Sequence, residues 1–411
     1  MKPWCEESWA MEDAEKNKIK VLHLITRLIV GGAQENTLLT ADLLSHDPSF
    51  DGRYDIDIVS GPQTGPEGSL AEEARRRSIS LIILPELRRE ISPYNDLRAL
   101  LKLYRLMKTP QGGSRYQIIH THSSKAGILG RLAARLAGVP VIIHTVHGWS
   151  FHDRMPAYTR IFYILLEKMA SRLSHKMIAV SSRDIKKGLN HGIGRSEDYV
   201  LIRSGIELDL FGHSKINRSR MLSRLGMPED ARVVGCVTRL CPQKAPFDLI
   251  EAYSYIARRH ADVWFMIVGS GPLLPQVKNL LVSYGIVDRT ILTGIRRDVH
   301  DLMTVFDVFV LSSVWEGLPR VLPQAMATGL PVVSTDADGS AEAIRDGENG
   351  FLVPRNRPDA LADKVVSLLE DRELRRRMGD AGRRLSSEFD VYEMVKQINS
   401  LYQDLLGDKS T

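Results

Sequence analysis

One carboxylate and two cations stand in this chain where a bound anion would meet them. Glu316 sits in a turn between an apolar strand, Val308–Leu311, and a helix that stops at Gly329, with Pro331 opening the next strand. In such a βαβ unit the turn and the helix N-terminus lie at the carboxyl edge of a parallel sheet, where these sheets bind ligands. Free N–H groups and the positive end of the helix dipole there favour a phosphate. Gln324 follows Glu316 by just over two helical turns, so its side chain can lie near the face along which Glu316 looks. Arg239 and Lys244 occupy the loop after another strand, Val233–Val237. Their guanidinium fork and ammonium point charge both suit anionic oxygens. Taken singly, these two read as solvated loop cations and Glu316 as a helix cap.

The elements that must hold these residues alternate between strand and helix. In the first half, apolar runs rich in β-branched residues predict strands at 19–25, 56–60, 81–84, 117–120, 141–145 and 176–180. Helices are expected at 34–44, 97–107, 125–137 and 158–171. The pattern restarts after residue 205, with strands at 233–237, 263–268, 290–292, 308–311 and 332–334 and helices at 247–260, 274–284 and 318–328. Pro323 fits the last helix only within its first turn, where its missing N–H is not needed. Strands alternating with helices imply an α/β protein with parallel sheets. Two such halves, joined near 204–228, fit a pair of Rossmann-like domains facing a cleft. The divisions expected are a disordered tail at 1–18, a first domain at 19–205, a second at 206–390 and a terminal amphipathic helix within 391–411.

Composition removes several classes of function. A chain of 411 residues with 43% hydrophobic and 26% charged content fits a soluble protein of more than one domain. No run of eighteen apolar residues suggests a membrane span. The first eighteen residues carry five acidic side chains and lack the apolar stretch of a secretory signal. Cys5, Cys236 and Cys241 form no disulfide framework and no zinc spacing, which suits a reducing cytoplasm. The net charge of +5 is uneven, with a basic first half and a slightly acidic second. A solvated surface explains most of the basic residues, and peripheral contact with an anionic membrane would use the rest. Nucleic acid is not an expected partner, because no binding motif and no interleaving of basic with aromatic residues occurs.

The segment 312–334, with Glu-Gly-Leu-Pro-Arg-Val and Ala-Met-Ala-Thr-Gly-Leu-Pro-Val-Val, resembles the nucleotide-sugar site of glycosyltransferase family 4, retaining enzymes of the GT-B fold. Thr238-Arg239-Leu240 with Lys244 looks like the family's Gly-Arg-Leu…Lys segment, with Thr238 in place of glycine. The resemblance implies that Arg239 and Lys244 hold the donor diphosphate, and that Glu316 accepts hydrogen bonds from the donor sugar. Gly317, Leu318 and Pro319 then line the donor site. Gly31 and Gly32 would close the first strand near the donor phosphate. His147, in Thr-Val-His-Gly-Trp, would contact the donor sugar. Gly269 would belong to a cleft-lining turn, and Gly294 and Arg296 to the segment that meets the nucleobase; Glu342 suits donor binding and helix capping equally. In this family the terminal helix crosses back onto the first domain. The family's usual pattern is Glu, seven residues, Glu, so Gln324 is a departure. An amide offers one acceptor and one donor group where a carboxylate offers two acceptors. Altered ribose recognition is the expected consequence.

These readings predict a cytoplasmic glycosyltransferase at the inner face of the membrane. It would move a sugar, with retention, from a nucleoside diphosphate sugar to a glycan or polyprenyl-linked acceptor, and the resemblance implies cell-envelope polysaccharide synthesis as its setting. Neither cofactor nor metal is expected, since cations and a helix end supply the charge. His120 and His122 share a strand face, but no carboxylate or cysteine stands at matching spacing, which argues against zinc. His120, His122 and His144 read as packing or hydrogen-bonding residues. The alternatives are a nucleotide-sugar epimerase of the same fold, or a non-catalytic binding protein with a decayed site.

Overall fold

A computed structural model describes residues 18–63, 68–109, 114–213 and 216–407. The expected tail at 1–18 lies outside the described residues apart from Lys18. In the first half the order is β1 (Ile19–Ile25), α1 (Gly32–His46), β2 (Tyr54–Ser60), α2 (Ala71–Arg76), β3 (Ser80–Ile83), α3 (Pro93–Lys108), β4 (Ile118–His122), α4 (Ser124–Ala137), β5 (Val141–Val146), α5 (Ala157–Ser171), β6 (Lys176–Ala179), α6 (Ser182–Asn190) and β7 (Tyr199–Leu201). Short helices α7 (Leu208–Gly212) and α8 (Arg218–Arg224) lead into the second half. There follow β8 (Arg232–Val237), α9 (Pro246–Arg259), β9 (Val263–Val268), α10 (Leu274–Ser283), β10 (Thr290–Gly294), α11 (Val299–Met303), β11 (Val308–Leu311), α12 (Val321–Thr328), β12 (Val332–Thr335), α13 (Ser340–Ala343), β13 (Gly350–Val353), α14 (Pro358–Glu370), α15 (Arg372–Leu385) and α16 (Val391–Gly407).

Two parallel sheets result. The first runs β3-β2-β1-β4-β5-β6-β7 and the second β10-β9-β8-β11-β12-β13. Each reverses its winding once, between β1 and β4 and between β8 and β11. At such a reversal neighbouring crossovers depart to opposite faces and open a crevice beyond the carboxyl ends. The loops after β8 and β11, which carry Arg239, Lys244 and Glu316, therefore flank one crevice. The loop after β1, with Gly31 and Gly32, flanks the other.

The strands are nearly continuous apolar runs because helices cover both faces. Under one face of the first sheet, β1 and β2 pack with α1 and with Val391, Met394, Val395, Ile398 and Tyr402 of α16. The terminal helix is thus part of the first lobe's core, and Tyr54 Oη donates to Asn399 across it at 2.6 Å. Helix α12 begins at Val321, three residues later than the sequence suggests, and Pro323 falls in its first turn. Its end is held by α15, where Arg383 donates to the Thr328 carbonyl at 3.0 Å. Strands β7 and β13 and helices α2, α6, α7, α8, α11, α13, α14 and α15 were not anticipated. The two strands are only three and four residues long. The face that α15 buries is Met378, Gly379, Ala381 and Gly382, so only one large apolar side chain marks it in an arginine-rich sequence.

Because Ile398 is buried where α16 meets the first sheet, Ile398→Ala should destabilise the first lobe by ~2–5 kcal/mol. Urea unfolding measures this, and an unchanged midpoint would mean that the helix does not dock there.

Candidate active site

The loops after β8 and β11 are stitched together by hydrogen bonds. Val314 N–H donates to the Gln243 carbonyl at 2.9 Å, Gln243 Nε2 to the Trp315 carbonyl at 3.0 Å, and Ser312 Oγ to the Lys244 carbonyl at 2.8 Å. This register sets Lys244 Nζ in direct contact with Glu316 Oε1. Both side chains are largely buried, and Gln243 Nε2 approaches the second Glu316 oxygen at 3.4 Å. The Glu316 backbone N–H donates to Asp338 at 3.3 Å, which fixes the turn from the other side. A carboxylate anchored in this way presents acceptors to sugar hydroxyls, while the ammonium keeps donors for an anion.

The second lobe touches the first through glycine backbones. A Cβ on Gly317 would lie 2.3 Å from the His147 carbonyl oxygen, and one on Gly148 would lie 3.0 Å from the Gly317 nitrogen. At Gly317 any side chain would force the backbones apart, and at Gly148 a tight contact combines with a φ of 108° that disfavours one. Gly339 backs the same turn, since its Cβ would fall 1.7 Å from the Gly317 carbonyl oxygen. Around this point the lobes are tied by side chains. His152 stacks on Trp315 with centroids 4.1 Å apart, and Arg154 donates to Asn356 at 2.6 Å. Arg320, almost wholly buried, pairs with Glu35 of α1 at 2.5 Å and donates to the Gly205 carbonyl at 2.9 Å.

Between the lobes lies a cleft of about 1510 Å³. Gly31, Gly32, His147, Arg239, Lys244, Gly269, Arg296, Glu316, Gly317, Leu318, Pro319 and Gln324 all line it. Gly294 does not. It stands one step back, where its carbonyl accepts from Gly269 N–H at 2.8 Å and so shapes the turn that does face the cleft. Glu342 is also absent from the wall, because Ser182 and Arg203 of the first lobe hold its carboxylate. Residues that line the cleft and escaped the sequence reading include Gln243, Arg320, Glu35 and Asp338. For Arg320 a signal was present, since it stands within the same short segment as Glu316. Glu35 carried none, because its partner is 285 positions away.

The first half matches the family model for Glycosyltransferase Family 4 over residues 51–210, and the second the model for Glycosyl transferases group 1 over 217–385. The UDP-Gal:alpha-D-GlcNAc-diphosphoundecaprenol alpha-1,3-galactosyltransferase of Escherichia coli is 31% identical over 397 residues, 96% of this chain and 99% of its own length. This chain is a family 4-type glycosyltransferase. The transferase is also 24% identical to the capsular polysaccharide biosynthesis glycosyltransferase CapM of Staphylococcus aureus, over 78% of this chain and 84% of CapM. Among solved structures, HepE of Anabaena in complex with UDP and glucose superposes with a TM-score of 0.80 at 22% identity, covering 94% of this chain and all of HepE. That likeness supports the expected GT-B fold.

The transferase has a histidine-rich wall behind its cleft. His147 Nε2 lies 3.0 Å from His122 Nδ1, and His122 Nε2 lies 3.0 Å from His23 Nδ1. Burial, reinforced by the charge of Arg320, pushes the His147 pKa down to about 3. Burial alone takes His23 down to about 3. His120, His122 and His144 are driven well below the ordinary value by burial first and by neighbouring charges second. His23, His120 and His122 bring ring nitrogens within 4.8 Å of one another, close enough to suggest a metal. The spacing argument considered only His120 and His122. It could not see His23, which β1 places beside His120 in register.

All five histidines are neutral in the folded state near pH 6, whereas an unfolded chain protonates them below about pH 6.5. The unfolded state then binds more protons, so stability is complete above about pH 7 and falls as the pH drops, with a slope approaching about 1.4 kcal/mol per pH unit for each histidine. Urea midpoints should decline between about pH 7 and about pH 5.5, although the buried Asp184, raised to about 7, takes up a proton in the folded state over that range and offsets part of the histidine effect. Equal midpoints across that range would mean that the histidines are solvated.

Proposed function

We propose that this transferase moves a hexosyl group, with retention of configuration, from a UDP-sugar to a hydroxyl of a polyprenyl diphosphate-linked saccharide in cell-envelope polysaccharide synthesis. The observation that carries the reading is the convergence of Arg239, Lys244 and Glu316 on one cleft, opposite His147. Arg239, Lys244 and the N–H groups around the start of α12 hold the diphosphate and stabilise the charge that grows as it departs. Glu316 and His147 receive sugar hydroxyls, and Gln324 receives the ribose. The bond from the anomeric carbon to the phosphate oxygen breaks, and the acceptor oxygen bonds to that carbon on the face just vacated. The acceptor's proton passes to the departing phosphate oxygen. Groups on the chain supply the positive charge, so transfer proceeds without a metal and a chelator should leave it undiminished. The relatives' names support the donor and acceptor classes, one of them containing both UDP-Gal and a diphosphoundecaprenol-linked sugar.

In a panel of nucleotide sugars, the true donor should raise the melting temperature most, since stabilisation follows ligand concentration over Kd. Lys244→Ala should lower kcat/KM by about 100-fold, the scale for losing one preorganised donor to a developing anion. Near-normal turnover in that variant would remove Lys244 from the mechanism. Nucleotide release without acceptor, as fast as in the full mixture, would favour the epimerase.

The acceptor's lipid tail suits an apolar surface on the first lobe. Tyr94, Leu97 and Leu101 of α3 and Tyr158, Ile161, Phe162, Leu165 and Met169 of α5 are all exposed. Helix α4 packs between these helices, and Phe162 and Ile91 carry the surface into the cleft mouth. Arg98, Lys102, Arg105 and Lys108 lie on the same α3. Among the described residues no helix is long and apolar enough to cross a membrane. Peripheral docking on anionic lipid at the inner face of the membrane fits this pattern. The protein should float with phosphatidylglycerol vesicles, and the double variant Phe162→Asp, Leu165→Asp should stay in the soluble fraction. Wild-type protein that fails to float would refute the docking.

A further inference from the structure

Behind the cleft, four side chains from four elements form one continuous line of hydrogen bonds. Tyr402 Oη on α16 lies 2.6 Å from His120 Nδ1 and 3.3 Å from His23 Nε2. His23 on β1 continues to His122 on β4, and His122 to His147 at the end of β5, each step at 3.0 Å. His120 ends on the Thr145 hydroxyl at 2.6 Å. All members are buried except His147, which is half-buried at the cleft wall.

A neutral imidazole has one N–H and one lone pair. In a chain of neutral rings each N–H must meet a lone pair, so one choice at the head fixes every ring to the end. Tyr402 supplies that choice, because its hydroxyl has a single proton and two nitrogen neighbours. O–H donors make the shorter bonds, which assigns the proton to His120 rather than to the more distant His23. The phenol oxygen then accepts from His23 Nε2–H. His23 Nδ1 accepts from His122 Nε2–H, and His122 Nδ1 accepts from His147 Nε2–H.

We propose that Tyr402, His23 and His122 form a tautomer lock that keeps His147 protonated on Nε2 and leaves its Nδ1 as a bare hydrogen-bond acceptor at the cleft. These three are positioning residues: they act through His147 and touch no substrate. The lock explains why a polar line runs through an otherwise apolar sheet core, where each unsatisfied nitrogen would be unfavourable. It also separates this trio from a metal site. The lone pairs of His23 and His122 are already used on neighbouring N–H groups. The kinetic part of the test rests on the proposed role of His147 toward the sugar; the lock itself does not.

The test is 15N NMR of histidine-labelled, substrate-free protein, in which protonated and bare ring nitrogens are well separated. Wild-type His147, assigned through His147→Gln, should show a single tautomer with Nδ1 bare. Tyr402→Phe removes the head of the line and should give a tautomer mixture, with kcat about tenfold lower and donor KM within about twofold. His122→Gln can still accept from His147 through its amide oxygen and should keep the single tautomer, whereas His122→Leu should lose it. Wild-type His147 protonated on Nδ1, or a tautomer indifferent to both Tyr402→Phe and His122→Leu, would overturn the lock. So would stoichiometric metal in the purified protein that disappears in His23→Gln. A shifted tautomer with unchanged kcat would keep the lock and count against His147 as a sugar contact.

Discussion

The geometry of this transferase depends on a contact made without side chains. Gly317 of the second lobe rests on the His147 carbonyl and the Gly148 nitrogen of the first, and Gly339 supports it from behind. The residue before Gly317 is Glu316, and the residue before Gly148 is His147. Backbone contact at this point therefore brings the carboxylate of one lobe and the imidazole of the other to the same part of the cleft. The Lys244 contact with Glu316, the stack of His152 on Trp315 and the Arg320–Glu35 pair all surround it.

Electrostatics in the cleft follow from how each group is buried. Glu316 and Lys244 neutralise each other, which makes their desolvation tolerable and leaves each with hydrogen-bonding capacity for a ligand. Arg320 is bound to Glu35 and to a backbone carbonyl, so its charge is held in place beside His147. On the opposite wall the histidines carry no charge. They supply directed donors and acceptors, and their order is set by the protons they share.

Much of this was legible in the sequence. Strand and helix alternation gave both sheets, and Glu316, Gln324, Arg239 and Lys244 fell on one cleft because each follows a strand at a winding reversal. Relations between distant segments were not legible. Glu35 meets Arg320, and His23 meets His122, only because the sheet order sets β1 beside β4 and the lobes close. Gly294 shows the converse. Its segment matched a family pattern, yet its carbonyl holds Gly269 in place and it does not line the cleft. Glu342, in the short helix α13, is taken by the first lobe, a partner that no local pattern announces.

The lobe contact can be challenged by a single methyl group. Gly317→Ala places a Cβ where the His147 carbonyl now lies and must force the turn or the lobe away. Affinity for the nucleotide should change little, because the proposed diphosphate ligands Arg239 and Lys244 remain on the second lobe. Transfer should fall by about 100-fold, the scale expected when reacting groups are misplaced by about 1 Å. Wild-type transfer rates in this variant would contradict the claim that the glycine contact assembles the site.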